Sequence, residues 1–233
     1  MANGFGKSTE NPILLCLFDP SRVGCYTQYE RSFKGGWRLQ EKVLQAASRL
    51  FAERGFYATG MRAIAAAAKV SVGTIYNHFQ TKEEILEAIL CDEVERRSKF
   101  LQEVAKEKLP LVKKVEKLVA FHFSLLEERR DASLLFFRER FDPNPGIRRR
   151  LEKLYDGLAN QIAALLQDGV REGEIVSYSC LDAAYILLGM MEAVSLRALR
   201  DDRVAASIRE EAPKELTRAI WAWLKGSPTE IPA

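Results

Sequence analysis

Features that define several other classes of protein are missing from this sequence of 233 residues. Its four cysteines show no C-x-x-C spacing, which argues against a disulfide framework or a zinc site and for reduced thiols (Cys16, Cys25, Cys91 and Cys180). It has only two histidines, on separate predicted helices, and no H-E-x-x-H, G-x-S-x-G or phosphate-binding loop. No nucleophile, base and orienting group come together by spacing. We therefore predict that the chain is not an enzyme and uses no metal or cofactor.

Long hydrophobic runs are also missing. The longest nearly unbroken apolar stretch, residues 183–191, has nine residues, whereas a membrane-spanning helix needs about 20. The apolar patch at 13–18 is shorter than the core of a signal peptide, and Asp19-Pro20 follows it instead of a small-residue cleavage site. These observations predict a cytoplasmic protein with no membrane partner.

Basic residues are concentrated in one short segment. Residues 37–82 hold seven lysines and arginines against two acidic residues, a net charge of +5. Residues 1–36 carry +1 and residues 83–233 carry −3, so the overall +3 describes a basic module joined to a slightly acidic body. This arrangement is expected where one end of a protein meets a polyanion, although a charge run is more often a solvated face.

Apolar residues recur at helical spacing from Trp37 onward, and no alternating strand pattern is worth counting. We predict an all-α protein with about nine helices, at 37–54, 61–68, 72–79, 81–108, 110–129, 131–141, 147–172, 181–200 and 213–225. The predicted units are an irregular extension at 1–36, a basic helical domain at 37–82, a larger helical domain at 83–226 and a tail at 227–233.

Two short helices joined by a tight turn inside the basic segment predict a helix-turn-helix, whose second helix enters the major groove of DNA. Thr59-Gly60 is predicted to cap helix 61–68, and Ser71 to cap helix 72–79. Eight residues would make a rod of about 12 Å, comparable with the width of the groove. With Ile75 and Phe79 inward, the outward residues are Val72, Gly73, Thr74, Tyr76, Asn77 and His78.

The outward residues suit different contacts with DNA. Gly73 permits close approach of the backbone, Val72 and Thr74 offer apolar contact to a thymine methyl, and Asn77 pairs with an adenine edge. Side chains that donate to phosphate oxygens are Thr74, Tyr76, His78 and Lys82, with Arg62 for phosphate or guanine. The alternative for Tyr76 and His78 is packing within the small domain.

The stretch KVLQAASRLFAERGFYATGMRAIAAAAKVSVGTIYNHFQTKEEIL, residues 42–86, resembles the DNA-binding domain of tetracycline-repressor (TetR) type transcriptional regulators. The similarity covers the LFAERGF end of the first helix, then T-x-x-x-x-I-A, V-S-x-G-T-I-Y-x-H-F and K-E-E in order over some 45 residues. Lys69 stands where the turn often has glycine.

The resemblance implies an N-terminal helix-turn-helix and a helical C-terminal body that binds a small molecule and dimerises through its last two long helices. Ligand binding in that family usually releases the operator. The positions that contact DNA in relatives are occupied here by Thr59, Arg62, Val72, Gly73, Thr74, Tyr76, Asn77, His78 and Lys82.

A mainly aromatic and aliphatic body favours a hydrophobic effector. His122 lies in the middle of the apolar face of helix 110–129, which fits either a satisfied core histidine or a polar anchor in a ligand cavity. Arg138 or Arg140 is a candidate partner for an acidic ligand head, with solvated arginine beside Glu139 as the alternative. The predicted ligand-binding residues are His122, Phe136, Phe137, Tyr155 and Tyr185, with ordinary core packing as the alternative for the four aromatic residues.

Helix 181–200 is apolar almost all round in its first half, so in a chain of this size we expect a second subunit to cover it. We predict a homodimer in which this helix and helix 213–225 pack on their symmetry mates. The predicted interface residues are Leu181, Tyr185, Leu188, Met191, Leu216, Ile220 and Trp223, and a charge at Leu188 should then give monomers.

Together these features predict a dimeric, ligand-responsive transcriptional regulator. We expect a repressor on a near-palindromic, double-stranded DNA operator, released by a small hydrophobic molecule that favours the conformation with wrongly spaced recognition helices. The alternative is a helical small-molecule binding protein that does not use its DNA module.

Overall fold

The computed structural model describes residues 37–176, 179–200 and 202–226, and within these ranges the chain is all helical. The nine α-helices in these ranges are α1 (Trp37–Arg54), α2 (Met61–Ala68), α3 (Val72–Tyr76), α4 (Lys82–Lys106), α5 (Leu111–Glu128), α6 (Arg130–Arg138), α7 (Pro145–Arg171), α8 (Cys180–Arg200) and α9 (Asp202–Lys225). A short 3₁₀ turn, Glu139–Phe141, follows α6. The predicted fold class is confirmed. The predicted extension at 1–36 and tail at 227–233 lie outside the described residues.

Helices α1, α2 and α3 form a small unit with its own apolar centre. Phe51 of α1, Ile64 of α2 and Ile75 of α3 are each fully buried there, together with Phe79 just after α3. Alanine fills most of α2, and its small side chain lets α1 and α2 approach closely. The unit therefore presents α2 and α3 as a compact pair.

The turn between α2 and α3 is built on a left-handed residue that is not glycine. Lys69 has φ of +56°, and the amide of Val70 donates to the carbonyl of Ala65 at 3.0 Å in the pattern that closes many helix C-termini. A lysine in this conformation costs about 1 kcal/mol relative to glycine. The turn thus keeps the standard geometry despite the lysine noted in the sequence.

The body is a bundle in which α7 packs on α4 and α8, and α9 packs on α5 and α8. Helix α6 lies between the two parts, because it packs on α1 of the small unit as well as on α4, α5 and α8 of the body. The buried apolar residues of both parts form one continuous cluster. Helix α6 is therefore in direct contact with both parts.

One predicted helix start is wrong. The last helix begins at Asp202 and not at Pro213, which lies inside it. Proline has no amide hydrogen to donate to the preceding turn, so one backbone hydrogen bond is missing there. Ile208 and Ala212 pack against the core before the proline, and this burial favours a helix that runs through it.

Candidate nucleic-acid interface and effector cavity

Helix α3 begins as predicted and ends earlier. Ser71 caps it, since its Oγ accepts the amide of Thr74 at 3.0 Å. The predicted end at residue 79 is wrong, because the amides of His78 and Phe79 both donate to the carbonyl of Ile75, at 2.9 and 2.8 Å, and tighten the chain into a turn. The helix therefore has five residues, a rod of about 7.5 Å.

The outer face of α3 is open. Tyr76 is 45% exposed, Gly73 and Asn77 are exposed, and Val72, Thr74 and His78 are half-buried. Arg62 at the start of α2 is exposed as well. We call the exposed and half-buried residues of α2, α3 and the turn after α3 the reading face (Arg62, Val72, Gly73, Thr74, Tyr76, Asn77 and His78).

Thr59 does not belong to the reading face. Only 2% of it is exposed, and its hydroxyl lies 2.9 Å from the carbonyl of Gly55 and 3.3 Å from that of Leu50. Of the predicted Thr59-Gly60 cap, Gly60 is the capping residue of α2, and no side chain, that of Thr59 included, bonds the first turn of the helix. Thr59 holds the end of α1 to the turn that follows it.

Lys82 is anchored on the turn that follows α1. Its Nζ donates to the carbonyl of Phe56 at 2.9 Å and lies 4.4 Å from the centre of the Phe56 ring. A contact between Lys82 and a DNA phosphate requires the ammonium to share or exchange these partners. The same contacts tie the start of α4 to the small unit.

The body contains a cavity of about 70 Å³. Its walls come from α4, α5, α6, α7, α8 and α9, and they are apolar apart from Arg97, His122 and the hydroxyl end of Tyr155. Four of the five predicted ligand-binding residues line it (His122, Phe136, Phe137 and Tyr155). The fifth, Tyr185, does not: it is 36% exposed, and its hydroxyl donates to Asp156 at 2.6 Å.

His122 is a polar group in an otherwise apolar wall. Its Nε2 lies 2.7 Å from Ser195 Oγ, and Ser195 in turn donates to the carbonyl of Met191 at 2.6 Å. Burial, with a smaller contribution from Arg97, lowers the pKa of His122 to about 3. The imidazole is therefore neutral at physiological pH.

This depressed pKa predicts a loss of stability in mild acid. In the unfolded chain His122 takes up a proton near its ordinary pKa of about 6.5, whereas in the folded chain His122 stays unprotonated down to a pH of about 3. The free energy of unfolding should fall by about 1.4 kcal/mol for each pH unit below 6.5, or about 2 kcal/mol at pH 5. Urea unfolding of the wild type and of His122→Phe at several pH values measures this term. Equal slopes in both proteins would contradict it.

Sequence reasoning missed a buried ionic network behind the cavity. Glu93 is fully buried, and its carboxylate accepts from Arg97 at 2.7 Å, from Arg129 and, at 3.3 Å, from Ser133. Arg129 also binds Asp92. Glu93 and Arg97 share a helical face at i and i+4, but nothing in the pattern marks that face as buried.

The contacts by which α6 holds the small unit could not be predicted from the sequence either. Arg138 donates to the carbonyl of Phe51 at 2.7 Å and to that of Ala52 at 3.3 Å, which lie in the last turn of α1. Beside it, the Tyr57 hydroxyl donates to Asp142 at 2.7 Å. Arg138 follows two cavity-lining residues, Phe136 and Phe137, directly in the chain.

Both arginines suggested for an acidic ligand head already have protein partners. Arg138 binds Glu139 at 2.7 Å in addition to the carbonyls of α1. Arg140 pairs with Glu192, and its guanidinium lies 3.7 Å from the centre of the Tyr155 ring. Neither one lines the cavity.

The predicted interface residues do not share one face. Leu188, Met191 and Ile220 are buried and line the cavity, which corrects their placement at a dimer surface. Leu181 and Tyr185 are exposed, while Leu216 and Trp223 are half-buried. A helix that is apolar on nearly every side gives no clue to which side faces the subunit's own core.

None of the helices in the described ranges is long and apolar enough to cross a membrane. The described residues also contain no cluster of three or more histidine, cysteine, aspartate or glutamate side chains placed to hold a metal ion.

Two family models match the chain in order. Residues 43–89 match that of bacterial regulatory proteins of the tetR family, and residues 108–196 match that of a tetracyclin repressor-like C-terminal domain. A helix-turn-helix joined to a helical body with a cavity is the architecture of a ligand-responsive, DNA-binding transcriptional regulator, not of an enzyme. The chain belongs to the TetR family.

Individual relatives agree with this assignment. The fatty acid metabolism regulator protein of Bacillus subtilis is 28% identical over 134 residues, covering 58% of this chain and 69% of that protein. The structure of GusR from Salmonella enterica is 26% identical and superposes with a TM-score of 0.70 over 83% of this chain and 98% of that one. FadR from Bacillus subtilis in complex with stearoyl-CoA, at 23% identity, has a TM-score of 0.63 over 80% and 97%.

Proposed function

We propose that the chain is a repressor that binds a near-palindromic operator as a homodimer and leaves it when a small hydrophobic molecule enters the cavity. The reading face meets the bases and phosphates of each half-site, with Lys82 at its edge. The proposal assigns DNA binding to a domain that ends near residue 82, and effector binding and dimerisation to a domain that ends near residue 226. Because the target is chromosomal DNA, we place the protein in the cytoplasm.

The position of α6 is the observation that carries the proposal. Phe136 and Phe137 line the cavity, while the next residue, Arg138, binds carbonyls of α1. A ligand that displaces the two rings moves the helix that holds the small unit. Such a ligand shifts the population toward conformations in which the two reading faces are wrongly spaced for DNA.

The relatives support a lipophilic effector. One of them is named a fatty acid metabolism regulator, and a fold neighbour is described in complex with stearoyl-CoA. The apolar lining of the cavity fits the same general chemistry.

Fluorescence anisotropy tests the proposal most directly. Labelled DNA from upstream of the protein's own gene is compared with scrambled DNA at about 50 and about 200 mM salt, and six to ten phosphate contacts should cost about 10³- to 10⁵-fold in affinity between them. Preference for the native fragment, lost on adding an effector, supports a repressor. Equal and weak binding to both fragments would favour a ligand-binding protein that does not use its DNA module.

We propose that the dimer forms through the outer faces of α8 and α9. Ile186 is 45% exposed there, and Gly189 and Ala193 of α8 and Ala219 of α9 are exposed small residues that allow helices of two subunits to approach closely. Leu181 and Tyr185 extend this face along α8.

A single charge at the centre of this face should break the dimer. A Cβ added to Gly189 meets no atom within 4 Å, so Gly189→Arg leaves the subunit intact and places a cation between the subunits. We expect monomers in sedimentation velocity at concentrations where the wild type is dimeric. The matched control is Gly157→Arg on α7, where a Cβ also has open space. A dimeric Gly189→Arg protein would move the interface elsewhere.

A further inference from the structure

The cavity carries no net charge in spite of the arginine in its wall. Nη1 of Arg97 lies 2.7 Å from the Glu93 carboxylate and 2.8 Å from the Glu93 carbonyl, and Nη2 lies 3.5 Å from the Ser133 hydroxyl. Its partner carboxylate is itself fully buried. The positive charge of Arg97 is therefore already compensated by a carboxylate in direct contact, so an anion entering the cavity would meet no net positive charge there.

His122 offers a neutral acceptor. The Ser195 hydroxyl has one hydrogen, which it gives to the carbonyl of Met191 at 2.6 Å, so Ser195 accepts from Nε2–H of His122. This fixes the tautomer and leaves Nδ1 with a lone pair on a ring that lines the cavity. Among the described residues, Ser195 is the hydrogen-bond partner of this ring.

The rest of the cavity wall is unfavourable for a charged ligand. Leucine, valine, isoleucine, methionine and phenylalanine side chains make up nearly all of it. An ion buried among them loses its hydration without a counter-charge to replace it. A neutral molecule loses much less, and one that donates a hydrogen bond regains it at His122.

We propose that the molecule that fills this cavity is uncharged, mainly apolar and carries one hydrogen-bond donor that is received by Nδ1 of His122. The inference rests on the proposed function in one respect, namely that this cavity is the effector site. It goes further by making His122 a specificity-determining residue. Alcohols, phenols and secondary amines with an apolar body fit, whereas a carboxylate or sulfonate inside the cavity does not.

Three molecules of nearly one shape test the proposal. Each is larger than the cavity of about 70 Å³, so each must displace the cavity walls to bind, as the proposed function requires of an effector. N-phenyl-1-naphthylamine is neutral and has an N–H donor; 1-anilinonaphthalene-8-sulfonate adds a negative charge; 1-phenoxynaphthalene replaces the N–H by an oxygen that donates nothing. The amine is titrated into the full chain, and its binding is followed by its fluorescence. The affinities of the sulfonate and the ether are measured by how well each displaces the bound amine. We expect the neutral amine to bind at least about tenfold more tightly than the sulfonate, and about five- to tenfold more tightly than the ether.

The variant His122→Phe keeps an aromatic ring and removes the acceptor. In this variant the amine and the ether should bind equally, while the sulfonate stays the weakest. His122→Asn, whose side-chain oxygen accepts, should keep a preference for the amine. The wild-type comparison stands by itself if either variant folds poorly.

Each other outcome overturns a stated part of the inference. Sulfonate binding as tight as that of the amine overturns the requirement for neutrality. Ether binding as tight as that of the amine, or an unchanged ratio in His122→Phe, overturns the role of His122. Absence of binding by all three overturns the cavity as a site for such molecules.

The proposed function is read separately, by adding the amine to the protein bound to labelled operator DNA. If the amine shows the expected selectivity and the anisotropy does not fall, the inference on the cavity holds and the coupling to DNA fails. If the anisotropy falls with the sulfonate and the ether as readily as with the amine, the coupling holds and the selectivity is wrong.

Discussion

Replacing Gly73 by leucine should abolish operator binding and leave the fold intact. Gly73 is exposed at the centre of the reading face, and a Cβ added to it meets only Ser71 Oγ, at an ordinary 3.7 Å. Leucine is also a better helix former than glycine by about 1 kcal/mol. The backbone and the first side-chain atom of Gly73→Leu are therefore accommodated without a clash.

The DNA opposes this substitution. Hydrogen bonds to DNA from Tyr76, the last residue of α3, and from Asn77, which follows it, need heavy-atom distances of about 2.7 to 3.2 Å. A leucine side chain at position 73 holds the groove several ångströms away, so these contacts are lost together. We expect affinity for the operator to fall by more than about 100-fold, because two or more contacts of 1–3 kcal/mol each are removed. Anisotropy titration measures the loss, and circular dichroism and thermal melting monitor the fold.

A matched control separates this effect from a general response to leucine. Gly157→Leu changes the same residue type on α7, where a Cβ also has open space, and should bind DNA like the wild type. If Gly73→Leu bound the operator with unchanged affinity, the reading face would not be the surface that meets DNA.

The sequence allowed the small unit to be predicted closely because its signals are local. A serine cap, an alanine-rich helix and the buried pair Ile75 and Phe79 lie within 20 residues, and each acts on its own neighbours. The missed end of α3 is also a local feature, but no residue type in the sequence marks it. Two amides share the carbonyl of Ile75, and this arrangement competes with continued helix over a single turn.

The cavity was only partly predictable. Aromatic residues next to one another in α6 and a histidine on an apolar face indicated its lining, and four of the five predicted residues do line it. Leu188 and Met191 were placed on the wrong side, because helical periodicity identifies a face only when the opposite face is polar. On α8, apolar residues face both the cavity and solvent.

Contacts between distant segments could not be predicted. Arg138 reaches the last turn of α1 across 87 residues of sequence, and arginine at the end of a helix is usually solvated. Tyr57 and Asp142 are 85 residues apart. These contacts give α6 its position between cavity and DNA-reading unit, yet each residue taken singly looks like an ordinary surface side chain.

The largest expected loss of stability comes from Glu93→Gln. Glu93 is fully buried and accepts from Arg97, Arg129 and Ser133. The amide has nearly the same shape but no charge, and it turns an NH₂ group toward one of the two guanidinium groups. Removing one partner of a buried ion pair costs about 3–5 kcal/mol, because the remaining charge stays buried without compensation. Urea unfolding at one fixed protein concentration should show this loss, since subunit association also contributes to stability.

A surface pair provides the control for Glu93→Gln. Glu116 binds Lys113 at 2.7 Å, but both side chains are more than half exposed, so Glu116→Gln should cost less than about 1 kcal/mol. Adding Arg97→Met to Glu93→Gln removes one of the uncompensated charges and should recover part of the stability. If Glu93→Gln and Glu116→Gln lost similar amounts of stability, water or a rearranged side chain would have to compensate the charges of Arg97 and Arg129. In that case the wall behind the cavity would not be the closed, neutral surface on which the selectivity for uncharged molecules depends.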